Sequence, residues 1–415
     1  MLTGALCPHP NHRRNRRDHP LRSMDPSPAA REVFVVTPGA RMTRIEGHVL
    51  TPSGFLSGVM EIDKDGRIAQ VTGSPVEESQ VRRAGSPIIL PGFIDLHVHG
   101  GAGHDIMDGG DAAAHVARFH ALHGTTSIAA TTMTAPPEDL EAAFRGLSPF
   151  VLNRPEGGAS VLGVHLEGPY INRERLGAQP DHTRPMALEE LRLLHAIAPI
   201  RLITLAPEIP ANRSAIRELL AEGIRVQLGH TQGTYEDAVE ALSLGASGFT
   251  HLFNAMPGLH HRDPGVVGAA LAKAEYAEII PDLLHVHPGA ILAALRAIPR
   301  LYCVTDSTSA AGMPDGEYQL GRHTVTKCLG GVRLPDGTLA GSALTMDQAL
   351  LNLVDSLGLG LAEASRCLST NAADHLGLQD RGRLVQGAWA DAVVLDADLR
   401  LQGVILEGAW FDSHA

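Results

Sequence analysis

Pro91-Gly92-Phe93-Ile94-Asp95-Leu96-His97-Val98-His99-Gly100 is the stretch that decides the fold. It is an apolar run that follows a Pro-Gly pair and ends on two histidines one residue apart. In an extended strand successive side chains point to opposite faces, so His97 and His99 share one face while Leu96 and Val98 take the other. The same ending recurs down the chain, where apolar runs close on Glu167, His230, His251 and Asp306. Parallel strands that each deliver a ligand or an acid at their C-terminal tip describe a barrel enzyme with a metal site at its mouth.

Working outward, eight apolar runs read as strands, at 93–99, 125–131, 160–167, 201–205, 224–230, 248–251, 277–283 and 301–306. Helical stretches rich in Ala, Leu and Glu, such as 111–123 and 188–197, separate most of them. Strand–helix alternation of this kind predicts an α/β fold, a (β/α)8 TIM barrel over residues 92–376. The sixth unit is the weakest, because 257–264 reads as a loop where a helix is due. Short strands flank the barrel at 43–50, 58–62 and 66–71, with Asp65-Gly66 as a hairpin turn. Others follow at 382–385, 392–396 and 401–405. The two ends together predict one small β-sandwich domain, from 32–91 plus 377–415.

The bulk numbers narrow the function. With 415 residues, 44% hydrophobic, the chain can bury a large core. A formal net charge of −12 argues against nucleic acid as a partner, since phosphate-backbone binding needs a basic surface. No apolar run reaches the roughly 18 residues of a membrane helix, so no membrane partner is expected. Cys7, Cys303, Cys328 and Cys367 lack CxxC spacing and read as free thiols of a cytoplasmic protein. Residues 1–31 carry Arg13, Arg14, Arg16, Arg17 and Arg22 without an apolar segment, and are expected to be a disordered basic arm.

A lone HxH pair is weak evidence in a chain with 22 histidines. Followed by Glu167, His230 and His251 at later strand tips, it becomes a ligand set. Imidazole nitrogen and carboxylate oxygen suit Zn²⁺ first, and also Fe²⁺, Mn²⁺ or Co²⁺, with one or two ions per subunit. Asp306 ends the eighth run, where a carboxylate can move a proton between water and a leaving group. Asp95 faces the same way as both histidines and is expected to support them.

The strings Leu96-His97-Val98-His99-Gly100, His165-Leu166-Glu167-Gly168-Pro169, Gly229-His230-Thr231, Thr250-His251-Leu252-Phe253-Asn254-Ala255-Met256 and Thr305-Asp306 resemble the N-acetylglucosamine-6-phosphate deacetylases of the amidohydrolase superfamily. The resemblance implies hydrolysis of a sugar-phosphate acetamide to acetate and a free amine. It makes Glu167, His230 and His251 the main metal ligands and Asp306 the catalytic acid/base. His97 and His99 match a second metal site that some members have lost. Asn254 and Ala255 match sugar-phosphate contacts, His285 a substrate-contacting histidine, and Ala178 with Gln179 an acetamide-side contact. Leu339, Ala340 and Gly341 match a loop over the sugar. Arg262 matches an arginine that reaches the phosphate held by a neighbouring subunit, which implies a homodimer with shared active sites. The chain departs at Leu283, where the family often has Gly after the equivalent of Asp282. Two other readings stay open. One is a different amidohydrolase, such as a deacetylase for N-acetylgalactosamine 6-phosphate or a cyclic amidase. The other is a non-catalytic scaffold homologue, although such proteins typically lose ligands and here all five and Asp306 are present.

Overall fold

The computed structural model describes residues 34–35 and 43–411. The basic arm expected over 1–31 lies outside the described residues. A strand forms in each of the eight expected runs. Phe93–Val98, Thr125–Thr132, Ser160–Glu167, Ile200–Leu205, Arg225–Leu228 and Gly248–Phe249 lie side by side, in sequence order, in one parallel sheet. Tyr276–Ile279 and Arg300–Cys303 form a parallel pair. Single contacts carry the curl onward. The Leu252 N–H donates to the Glu278 carbonyl (2.9 Å), and the Asp306 N–H donates to the His97 carbonyl (2.9 Å) beside a parallel Val98–Ser307 bridge. The shared core includes Phe93, Ile128, Val164, Ile203, Val226 and Ile279, all fully buried.

Helices follow most strands. The stretches expected at 111–123 and 188–197 are Ala112–Leu122 and Leu188–Ile197. Their ends carry ordinary stop and start signals. Thr234 and Asp237 form a capping box at the start of Tyr235–Leu244, and Gly245 ends that helix at φ 112°. As expected, a loop separates the sixth strand from its helix, Gly265–Lys273.

Strands from both chain ends are hydrogen-bonded into one eight-stranded sheet. Its junction is Ile88–Pro91 against Ala392–Leu395, antiparallel, with Leu90 opposite Val393. The outer ends meet at a corner where the Ile68 N–H donates to Ala388 (2.8 Å) and the Gly408 N–H to Ala390 (3.0 Å). One face gathers Ile45, Met60, Ile62, Ile89, Val394 and Ile405 into a separate core. This sheet runs straight into the histidine strand, since only Gly92 separates Pro91 from Phe93. A Cβ at Gly92 would sit 2.4 Å from Thr126 Oγ1, so only glycine fits there.

Three expectations need correction. Residues 382–385 are not a strand: Gly382 takes φ 71°, and Arg383 turns to Asp374 and to the Leu378 carbonyl. An unexpected antiparallel unit, Gly316–Leu320, His323–Cys328 and Gly331–Arg333, is inserted after the eighth strand. Cys303 and Cys367 are buried free thiols, but Cys328 is disulfide-bonded. Among the described residues no helix is long and apolar enough to cross a membrane.

Candidate metal centre and active site

Glu167, the last residue of the third strand, sits between two groups of histidines. Its Oε1 lies 3.0 Å from Nε2 of both His230 and His251. Its Oε2 lies 3.1 Å from His99 Nε2 and 3.4 Å from His97 Nε2. Asp306 Oδ1 approaches the second group, 3.4 Å from His99 and 3.6 Å from His97. Glu167 with His230 and His251, and Asp306 with His97 and His99, are each close enough to share an ion.

The ring nitrogens facing away decide what faces in. His230 Nδ1 donates to the Arg175 carbonyl (2.8 Å), and His99 Nδ1 donates to the Thr131 carbonyl (3.2 Å). His97 Nδ1 is 3.0 Å from Glu278 Oε2. With Nδ1 as the donor, each Nε2 presents a lone pair. Yet His97 and His99 bring their Nε2 atoms within 3.1 Å, and His230 and His251 within 3.0 Å. Between His97 and His99, whose Nδ1 atoms both have acceptors, lone pairs at that distance repel unless positive charge lies between them. The residues present therefore fit divalent cations.

The electrostatics agree. Burial lowers the His99 pKa, but hydrogen bonds to Asp306 and Glu167 outweigh it and raise it to about 9. His97 is likewise raised well above its usual value, against burial, by Glu167, Asp306 and Glu278. Burial pushes Glu167 up, yet the charges of His97 and His230 hold it well below the carboxylate range. Asp306 is held low in the same way, mainly by His97 and His99.

The strand tips are not regular. His230 (φ 46°), His251 (φ 27°) and Asp306 (φ 50°) all lie past the ends of their strands in left-handed backbone. That conformation costs an L residue roughly 1–2 kcal/mol and recurs at functional sites. Hydrogen bonds hold it here. The His251 N–H donates to Glu278 Oε2 (3.2 Å), the Ser342 N–H to the Asp306 carbonyl (2.7 Å), and the Asn172 N–H to the His230 carbonyl (2.9 Å).

A cavity of about 190 Å³ opens over this centre. Ala178, Gln179, Asn254, Ala255, His285, Leu339 and Gly341 line it, together with His99, Glu167, His230, His251 and Asp306. Three expected residues do not, the first being His97, which is fully buried. Ala340 is fully buried beneath the loop, against Met133, Ala310 and Leu320. Arg262 is exposed and donates to its neighbour His261 (2.8 Å), outside its own chain's cavity. Gln179 also reaches deeper than an acetamide contact, because its Nε2 donates to Glu167 Oε2 (2.5 Å) and its Oε1 accepts from the Thr134 N–H (2.7 Å). Leu283 takes φ 64°, the backbone that glycine would take more easily. His285 keeps its place because Asp282 Oδ1 accepts from the Leu284 and His285 N–H groups (2.9 and 2.8 Å), while Asp282 Oδ2 meets His285 Nδ1 (2.6 Å). Burial lowers the His285 pKa, and the Asp282 carboxylate raises it by more.

The amidohydrolase family model matches residues 88–412. The chain belongs to the amidohydrolase family. It is 41% identical to the N-acetylglucosamine-6-phosphate deacetylase of Lysinibacillus sphaericus over 83% of this chain and 91% of that protein. It is 39% identical to the N-acetylgalactosamine-6-phosphate deacetylase of Escherichia coli O157:H7, over 87% and 96%. Among solved structures it is similar to a substituted N-acetyl-D-glucosamine-6-phosphate deacetylase of Mycobacterium smegmatis in complex with N-acetyl-D-glucosamine 6-phosphate. The TM-score is 0.81 with 32% identity, covering 88% of this chain and 98% of that one.

In this amidohydrolase a buried polar layer below the ligands escaped sequence reading. Glu278 is fully buried on the seventh strand, and Gln227 and Tyr302 flank it. A glutamate inside an otherwise apolar run, Tyr276-Ala277-Glu278-Ile279, was the available signal. His97, His165 and Glu278 also lie within ion-binding range of one another. However, both His165 nitrogens are taken, by the Leu96 carbonyl (2.9 Å) and Thr204 Oγ1 (2.8 Å). Asp95 supports the site differently from the expectation. It accepts from the Thr305 hydroxyl (2.6 Å) and from the backbone N–H groups of His97 and Thr305 (3.2 Å each), so it ties the first strand to the eighth and touches no imidazole.

Proposed function

We propose that this chain hydrolyses the acetamide of N-acetyl-D-glucosamine 6-phosphate to acetate and D-glucosamine 6-phosphate. One observation carries the reading: two histidine pairs share the single carboxylate of Glu167, and His99, His230, His251 and Asp306 line the cavity with it. Glu167, His230 and His251 would hold the principal ion, and His97 and His99 a second one, Zn²⁺ being the first candidate. When bound, a divalent ion supplies a Lewis acid that polarises the acetamide carbonyl and makes water more acidic. Asp306, kept ionised by its histidine neighbours, takes the proton from the attacking water. It then returns that proton to the departing amine, so acetate and the amino sugar leave with the proton balance closed.

The remaining lining residues serve orientation. Asn254 and Ala255 would bind the sugar phosphate and His285 would contact the substrate, while Ala178 and Gln179 would face the acetamide and Leu339 and Gly341 would cover the ring, with Ala340 buried behind them. Arg262 would reach the phosphate bound by a second subunit, which makes the working unit a homodimer. Its planar fork suits phosphate. We further read the curled parallel sheet and its strand pair as a (β/α)8 barrel over 92–376. The terminal sheet is read as a small β-sandwich domain from 32–91 plus 377–415, and the compartment as the cytoplasm.

The test is acetate release from N-acetylglucosamine 6-phosphate, its 4-epimer and the unphosphorylated sugar, alongside metal analysis. The expected order is that order. Equal turnover of the unphosphorylated sugar overturns the phosphosugar reading, and preference for the 4-epimer reassigns the substrate to the class of the 39%-identical relative.

A further inference from the structure

We infer that Glu278 is a positioning residue common to both metal positions, setting the ring of His97 and the backbone of His251 with one carboxylate. Its Oε2 meets His97 Nδ1 at 3.0 Å and accepts from the His251 N–H at 3.2 Å. Its Oε1 accepts from Gln227 Nε2 at 2.6 Å and from the Tyr302 hydroxyl at 3.3 Å. The one Tyr302 hydroxyl proton is shared with Gln227 Oε1, the nearer acceptor at 2.8 Å, which turns the Gln227 amide with its NH₂ toward Glu278. Every group facing this fully buried carboxylate is thus able to donate, the pattern that an ionised acid requires.

Two consequences follow. Glu278 Oε2 gives His97 Nδ1 an acceptor on the far side of the ring, which leaves Nε2 turned toward Glu167 and Asp306. The same oxygen holds the amide of His251, whose left-handed backbone turns its ring toward Glu167. Glu278 itself holds no ion, because its third neighbour in range, His165, has both nitrogens occupied. The carboxylate is therefore a brace that couples two ligands drawn from different strands.

The inference rests on the metal reading above, and metal binding tests it without reference to the substrate. Metal-free protein is titrated with Co²⁺, followed by its visible spectrum and by competition with a chromogenic chelator. Glu278→Gln is expected to weaken Co²⁺ binding about ten- to a hundredfold, as outer partners of metal ligands do. A carboxamide can present NH₂ to His97 Nδ1 and so favour the wrong tautomer. In a His97→Asn background Glu278→Gln should weaken binding further, acting through His251. No added loss there overturns the shared role, and wild-type affinity for Glu278→Gln alone overturns the inference outright. If Glu278→Gln does not fold, Tyr302→Phe decides. An about two- to tenfold weakening, the worth of one neutral hydrogen bond, supports the brace, and unchanged affinity overturns it. A wild-type protein that binds no Co²⁺ overturns the metal reading itself, an outcome separate from the others.

Discussion

The two halves of the metal centre are built by different means. His97 lies in one strand and His99 one residue past its end, and simple alternation puts both rings on the same face. His230, His251 and Asp306 come from three separate strands, each past the end of its strand and each in left-handed backbone. The first half needs no strained residue. The second stores strain, roughly 1–2 kcal/mol per residue, and is held by surrounding hydrogen bonds. Catalytic direction is thus gained where regular structure stops, and Glu167 joins the halves by giving one oxygen to each.

The largest effect is expected where the halves meet. Glu167→Gln should lose metal from both positions and lose more activity than any other single change, because the neutral amide no longer balances either ion. Metal analysis alongside turnover checks this. Full metal content with normal turnover would remove Glu167 from the centre. Next is Asp306→Asn, expected to keep fold and metal while kcat falls on the order of 10²–10⁴, the usual worth of a positioned general acid/base. Turnover within about threefold of wild type at saturating substrate would sink that role.

The same contrast explains what the sequence made legible. The strand that carries His97 and His99 announces its facing by period two, and the recurrence of acids and histidines after apolar runs announces a mouth. The strained half was legible only as an end point: nothing in Gly229-His230-Thr231 reveals that the chain turns left-handed at His230. The strands expected at 224–230, 248–251, 277–283 and 301–306 accordingly stop early, at Leu228, Phe249, Ile279 and Cys303. Glu278 was hidden because its partners Gln227 and Tyr302 lie 51 and 24 residues away. The hairpin unit from Gly316 was missed because only Leu320, Val325 and Val332 are fully buried in its small core, with Tyr318 packed beside them, too few to stand out as a pattern.

Separating the halves sharpens the comparison further. Replacing both His97 and His99 by Asn should lower metal stoichiometry but spare part of the activity, since Glu167, His230 and His251 still offer three ligands and an open position. Loss of all metal in that variant would merge the halves into one site. A smaller effect is expected at Arg262, exposed on the loop before Pro264. Arg262→Ala should raise KM about ten- to a hundredfold, the worth of a charge-assisted, bidentate phosphate contact. Mixing it with Asp306→Asn should restore activity, because one site of a mixed dimer has both residues. No recovery, with subunit exchange verified, would return Arg262 to its own chain or to no role.

The smallest effect belongs to Leu283, a strained position that carries no ligand. Replacing it by Gly removes the left-handed penalty of roughly 1–2 kcal/mol. Glycine's extra freedom in the unfolded chain takes back roughly 0.5–1 kcal/mol. Loss of the half-buried isobutyl group, which touches the main apolar core, offsets most of the rest. Stability should therefore change by less than about 1 kcal/mol in denaturant unfolding of the metal-loaded protein. Activity should stay within about twofold. The Asp282 carboxylate holds the amides of Leu284 and His285 and the ring of His285 without using the side chain at 283. A β-branched residue, less tolerant of this backbone, should destabilise more, so Leu283→Val falls below both. If Leu283→Gly instead raises KM by tenfold, the side chain and not the Asp282 hydrogen bonds fixes His285. The strained half of the site would then depend on apolar contacts as much as the regular half does.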